Sequence, residues 1–185
     1  AGALDHYVNH GFFEGRQVNF DAMRYIASNW DLIGVYGTDV RGATTHYIQA
    51  GHAEGRQVNF DAVRYLASNT DLLDAYGPNL DLAQRHYILA GHAEGRGFNF
   101  DAVRYLASNT DVLAYFGNDA VAAANHYVYA GHGEGRGFDF DALRYIASYS
   151  DLIGAFGTNA APAMHHYVGT GFAEARAQED PGGHA

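Results

Sequence analysis

Cysteine and lysine are both missing from these 185 residues. Without thiols there are no disulfides, no thiolate metal ligands and no thiol nucleophile, while the compartment is left open. Without lysine the basic side chains are 11 arginines, set against 21 carboxylates for a formal charge of −10. A surface of that sign does not track phosphates, so no nucleic-acid partner is expected. No apolar run approaches the roughly 20 residues of a membrane span, which argues against membrane insertion. Ala1 to Gly11 has neither the charged start nor the apolar stretch of a targeting segment. No G-x-S-x-G elbow and no glycine-rich phosphate loop is present, and nothing in the composition requires a cofactor. An enzyme is the least supported class.

What the chain does have is a forty-residue unit written four times without insertion or deletion. Its first block reads FDAMRYIASNWDLIGVYG from Phe20, FDAVRYLASNTDLLDAYG from Phe60, FDAVRYLASNTDVLAYFG from Phe100 and FDALRYIASYSDLIGAFG from Phe140. Its second block starts at His46, His86, His126 and His166, for example HYILAGHAEGR, and a fifth copy stands at His6. Periodicity of this length marks an array in which each unit buries its apolar face on its neighbours. The expected architecture is all-α, a solenoid-like stack forming one domain over residues 1–177. It comprises a partial unit at 1–19 and full units from 20, 60, 100 and 140. The polar end from Gln178 (QEDPGGHA) leaves the pattern and reads as a disordered tail or linker. The helix holding His6 and Tyr7 is expected to cap the first full unit, because terminal repeats need covering.

Within the unit at Phe100, Asn99 or Asp101 can cap a helix, the acid at Asp101 suiting the helix start, and Ala102, Val103, Leu106 and Ala107 recur at helical spacing. Ser108 to Asp111 interrupts, since such side chains bond their own backbone. A second helix is predicted from Thr110 through Phe116, closed by Gly117, and a third from Ala120 to Ala130, closed by Gly131. The third has a stripe at i, i+3, i+4 and i+7: Ala123, His126, Tyr127 and Ala130. The same frame holds Ala43, His46, Tyr47 and Ala50, and Ala83, His86, Tyr87 and Ala90. Alanines flanking an aromatic permit close helix approach and place the His-Tyr pairs at a seam.

The pairing of these two blocks, FDAVRYLASNTDLL followed by HYILAGHAEGR, resembles a bacterial repeat found in several copies in large secreted or surface proteins. That repeat often sits beside calcium-binding nonapeptides and in some glycosyltransferase-linked chains. The likeness covers residues 5 to 176. It implies a helical repeat module in an extracellular or cell-surface setting, and it brings no catalytic residues. The nonapeptides are absent here, and Tyr149 and Glu174-Ala175-Arg176 depart from the pattern.

Three constellations carry candidate chemistry. A row of histidines, His52, His92 and His132, with Glu54, Glu94 and Glu134 two residues on, could ligate metal ions as an array. Phe12 and Phe172 at the same position speak for packing there instead. The Glu-Gly-Arg segments read as clamps: Arg56, Arg96 and Arg136 pair with an acid, Asp71 in the case of Arg56, while Glu54 serves amides at the next helix start. The rival is a catalytic pairing of Glu54 with Asp71 across a cleft, which copying in every unit disfavours. Tyr25, Tyr65, Tyr105 and Tyr145 read as core, whereas Trp30, Tyr115, Tyr129 and Tyr149 could form a face for sugars. The function expected is structural or adhesive, toward a protein or glycan surface and with self-association open. A metal or cofactor array and a carbohydrate-binding accessory module are the alternatives.

Overall fold

The computed structural model describes residues 2–176, so the tail expected from Gln178 lies outside them. Among the described residues there is no strand, only short helices. The partial unit holds α1 (Ala3–His6). The first full unit holds α2 (Ala22–Ser28), α3 (Trp30–Tyr36) and α4 (Val40–His46); the second α5 (Ala62–Ser68), α6 (Thr70–Tyr76) and α7 (Leu80–His86). The third holds α8 (Ala102–Ser108), α9 (Thr110–Phe116) and α10 (Ala120–His126), and the fourth α11 (Ala142–Ala147), α12 (Ser150–Phe156) and α13 (Ala160–His166). The last helix of each runs without a break into a π turn, such as Tyr127–Gly131. The chain is an all-α helical repeat.

Local chemistry sets these boundaries. Asp101 caps α8, its carboxylate accepting the Arg104 amide at 2.9 Å, and Asp21, Asp61 and Asp141 do the same in their units. Such a cap stabilises a helix by about 1 kcal/mol. Gly117, at φ 61°, ends α9 in the left-handed region, where a side chain would be strained. The third helix ends at Gly131 as its sequence suggests, but as a π turn and not through a left-handed glycine. It widens there, with His132 donating to the Tyr127 carbonyl at 2.8 Å and Arg136 to Gly131 at 2.9 Å, and reverses at Gly135, φ 70°. Gly131 instead makes room for a neighbour, because a Cβ on it would overlap the Tyr105 hydroxyl. In the fourth unit Ala175 takes the reversing position at φ 56°, a strain of about 1–2 kcal/mol for a residue with a Cβ.

The chain divides into two compact units, Ala1–Phe60 with Gln84–Gly95 and Asp61–Ala83 with Arg96–Ala185. In the first, α2 packs on α4 and also on the π turn Tyr87–Gly91. In the second, α10 packs against both α5 and α8, and α13 against both α8 and α11. Helices α10 and α13 are thus each shared between the first helix of their own repeat and that of the preceding repeat. The core follows from this sharing. Tyr25, Tyr65, Tyr105 and Tyr145 are wholly buried, as are Ala43, Ala83, Ala123 and Ala163 from the alanine stripe.

The expected N-terminal cap is a correction. Helix α1 and its π turn Tyr7–Gly11 pack substantially only on each other, and His6, Val8 and Phe12 are exposed. Elsewhere such a helix is held by the first helix of its own repeat, and the partial unit has none. Removing residues 1–16 is therefore expected to leave the thermal midpoint unchanged by circular dichroism. A clear fall would show that α1 does cap the array.

Candidate functional site

Two repeated polar seams join the helices, and the residues singled out from sequence fall mainly on them. In the first seam a buried tyrosine of the leading helix meets the histidine of the third. Tyr105 Oη lies 2.8 Å from His126 Nδ1, Tyr25 2.9 Å from His46, and Tyr145 3.0 Å from His166. The partner of each of these histidines across the seam is a phenol. They are half-buried, as are His86, Tyr47 and Tyr87, while Tyr127 is buried. Tyr127 stands edge-on to Tyr105, with centroids 5.3 Å apart, and packs on Phe100 at 5.2 Å.

Burial pushes the Tyr105 and Tyr145 phenols from 10.0 to about 12. In the unfolded chain these groups ionise near 10, so above that pH the unfolded state loses protons that the folded state keeps. Their contribution is complete below pH 10 and is lost as pH rises through 12. Alkaline titration should show tyrosinate absorbance from these residues appearing together with loss of helix between pH 10 and 12. Ionisation of all 14 tyrosines in one step near 10, with helix intact, would contradict this.

The second seam is the Glu-Gly-Arg clamp, with a partner different from the one expected. Arg56 does not reach forward to Asp71. It binds Asp31, 25 residues upstream, through Nη1 at 2.7 and 2.9 Å. Arg96 takes Asp71 in the same way at 2.8 Å, Arg136 takes Asp111 with both terminal nitrogens at 2.7 Å, and Arg176 takes Asp151. Glu54 and Glu134 do not serve amides at a helix start but hold their own arginine, Glu54 Oε2 lying 2.6 Å from Arg56 Nε. Glu94 is exposed. The reason is the glycine turn between Glu and Arg, which folds the arginine back over the helix just completed. The hydrogen bonds from Arg136 hold the Asp111 carboxyl below its ordinary value.

Sequence reasoning missed two further elements of this joint. Ser28 is more than a cap residue: its Oγ donates to the Arg24 carbonyl at 2.6 Å and accepts the amides of Asn59 and Phe60, each at 2.8 Å. Ser68 and Ser108 accept the amides of Phe100 and Phe140. Asn109, which is buried, donates from Nδ2 to the carbonyls of Tyr105 at 2.8 Å and Gly137 at 3.1 Å. In the fourth unit Tyr149 takes this place, α11 ends one residue sooner, and the ring lies beneath the Arg176 guanidinium at 5.0 Å. The recurrence of Ser in all four units and of Asn in three, at the break between two helices, was the available signal.

His52 and His92 are exposed and stand edge-on to Tyr47 and Tyr87, with centroids 5.8 and 5.9 Å apart. His132 differs. Its Nε2 lies 2.6 Å from Asp74 and its Nδ1 3.3 Å from the Tyr127 hydroxyl. Periodicity hid Asp74, because the equivalent positions are Gly34, Ala114 and Gly154. Among the described residues no three His, Cys, Asp or Glu side chains gather closely enough to hold a metal ion. An open cleft of about 380 Å³ is lined by Tyr36, Asp39, Arg41, Thr45, His46 and Gln49. Positions 41, 45 and 49 change character in every other unit, Arg41 being replaced by Asp81, Val121 and Ala161.

No helix among the described residues is long and apolar enough to cross a membrane. No family model, no curated protein and no solved structure matches the chain.

Proposed function

We propose that this chain is a structural or adhesive repeat module, a spacer that displays a variable outer surface to a protein or glycan. What supports this reading is the use of the repeated polar side chains. The repeated Ser, Asn, Arg and Asp groups bond across joints of the fold at 2.7–3.1 Å, and so do not converge on a substrate. Chemistry in the joints with variation outside suits a scaffold. Assignment to a bacterial secreted or cell-surface protein rests on the resemblance of the two repeated blocks. A carbohydrate-binding role is the second reading, favoured by the cleft at Tyr36, where an aromatic ring adjoins Asp39, Arg41 and Gln49.

Excising residues 60–99 tests both readings, because it removes one whole unit and rejoins equivalent positions. A scaffold remains helical and melts cooperatively at a lower temperature, since one interface has gone. On arrays of glycans and matrix proteins, its binding declines in proportion to the units left. An unfolded product overturns the scaffold reading. Unchanged binding of one glycan, lost on Arg41→Ala, would favour the carbohydrate reading.

A further inference from the structure

The open cleft beside Tyr36 gathers polar groups that the joints of the fold leave unused, and it lies wholly within the compact unit Ala1–Phe60. Arg56, Arg96, Arg136 and Arg176 each hold a carboxylate. Arg41 is exposed on α4, and among the described residues nothing binds its guanidinium; the Gln49 amide and the Tyr36 hydroxyl are likewise without a hydrogen bond. His46 adds a donor. Tyr25 is wholly buried and its hydroxyl meets His46 Nδ1 at 2.9 Å. With no other acceptor, the phenol gives its proton to Nδ1, which places the neutral ring's own proton on Nε2. That N–H has no partner among the described residues, and its ring lines the cleft.

This surface is open in every repeat, the internal ones included. Asp81, Val121 and Ala161 at the position of Arg41 are exposed, and so are Leu89, Tyr129 and Gly169 at that of Gln49. Helices α7, α10 and α13 form with those other side chains, so the fold needs neither Arg41 nor Gln49. Only the first repeat places a cation and an amide together there.

We propose that this cleft binds a sugar unit bearing a carboxylate, a uronic or sialic acid. Arg41 and His46 Nε2 donate to the carboxylate, Asp39 and Gln49 bond ring hydroxyls, and Tyr36 packs on the ring. This rests on the carbohydrate reading and names the class of sugar. A guanidinium fork matches a carboxylate, and the bond between them is charge-assisted. The volume of about 380 Å³ stands at the small end of the roughly 300–1,000 Å³ of ligand sites, which suits a mono- or disaccharide unit. Asp39 selects among anions. Its Oδ1 accepts the Gly42 amide at 3.0 Å, and its remaining lone pairs serve hydroxyls, which a sugar has and an acidic peptide largely lacks. A chain charge of −10 opposes a polyanion.

The test is a titration of the isotope-labelled 185-residue chain, read from its amide shifts by NMR. Methyl glycosides of glucuronic, galacturonic and N-acetylneuraminic acid are each compared with their carboxyl-reduced counterparts, with acetate and tri-glutamate as controls. At least one acid is expected to shift amides within residues 36–50 and to bind about tenfold tighter than its reduced counterpart, with both controls weaker. Arg41→Ala introduces the residue found at Ala161, so helix content should be unchanged while the preference for the acid falls to about one. A reduced sugar bound as tightly as its acid overturns the proposal and leaves the carbohydrate reading standing. If none of these sugars moves those amides the proposal falls, whereas the carbohydrate reading falls only if the glycan array is blank as well. Acetate or tri-glutamate bound as tightly as the acid sugars also overturns it, as does a preference for the acid that survives Arg41→Ala.

Discussion

Gly131→Ala is expected to destabilise the third repeat by about 3 kcal/mol, the sum of overpacking and a lost buried hydrogen bond. The new methyl would overlap the Tyr105 hydroxyl and lie 3.1 Å from its Cζ. Tyr105 is wholly buried, so its ring has no solvent to turn into. Displacing it breaks the bond to His126 Nδ1 and opens the ring contacts with Phe100 and Tyr127. For a chain of this size that is a fall in melting temperature of about 6–12 °C. Tyr105→Phe removes the oxygen that clashes, so the double variant should be more stable than the sum of the single effects allows. Additive effects would mean the glycine is kept for some reason other than the hydroxyl. Gly51 and Gly171 stand in the same relation to Tyr25 and Tyr145 and should respond alike.

Asn109→Ala should cost a comparable amount, about 3 kcal/mol, because it deprives two carbonyls of their donor where water cannot fully replace it. Asn109→Asp separates this explanation from simple loss of packing. A carboxylate is almost isosteric but only accepts, so it faces the Tyr105 and Gly137 carbonyls with like partial charge. At neutral pH the aspartate variant should be the less stable of the two by urea denaturation. The gap should narrow in acid, as protonation restores one donor. An aspartate variant as stable as the native chain at neutral pH would remove the donor role from Asn109.

Much of the fold was legible from spacing alone. The end of α9 at Gly117, the cap at Asp101, the burial of Ala43, Ala83 and Ala123 and the absence of strand among the described residues follow from local rules. Those rules act within a turn or two of the chain, and the repeat states them four times. The third helix ends at Gly131 as its spacing suggests, but in one dimension the glycine looks like a left-handed stop. Only in three dimensions is it the hollow for a hydroxyl arriving from residue 105.

The joints were legible in kind and not in partner. An arginine without lysine competitors had to find a carboxylate, and the sequence by itself determined that much, along with the all-helical repeat and its acidic surface. Every copy, however, offers the same acids at the same spacing, so periodicity gives Arg56 no means to prefer Asp31 over Asp71. The tertiary structure makes that choice through the glycine turn at Gly55, φ 68°, which aims the guanidinium back along the chain. Tertiary structure alone also decided that Tyr105 bonds His126 and that His132 meets the unrepeated Asp74. A repeat gives each copy the same side chains; neighbours in space decide which of them are buried, and the copies do not all have the same neighbours.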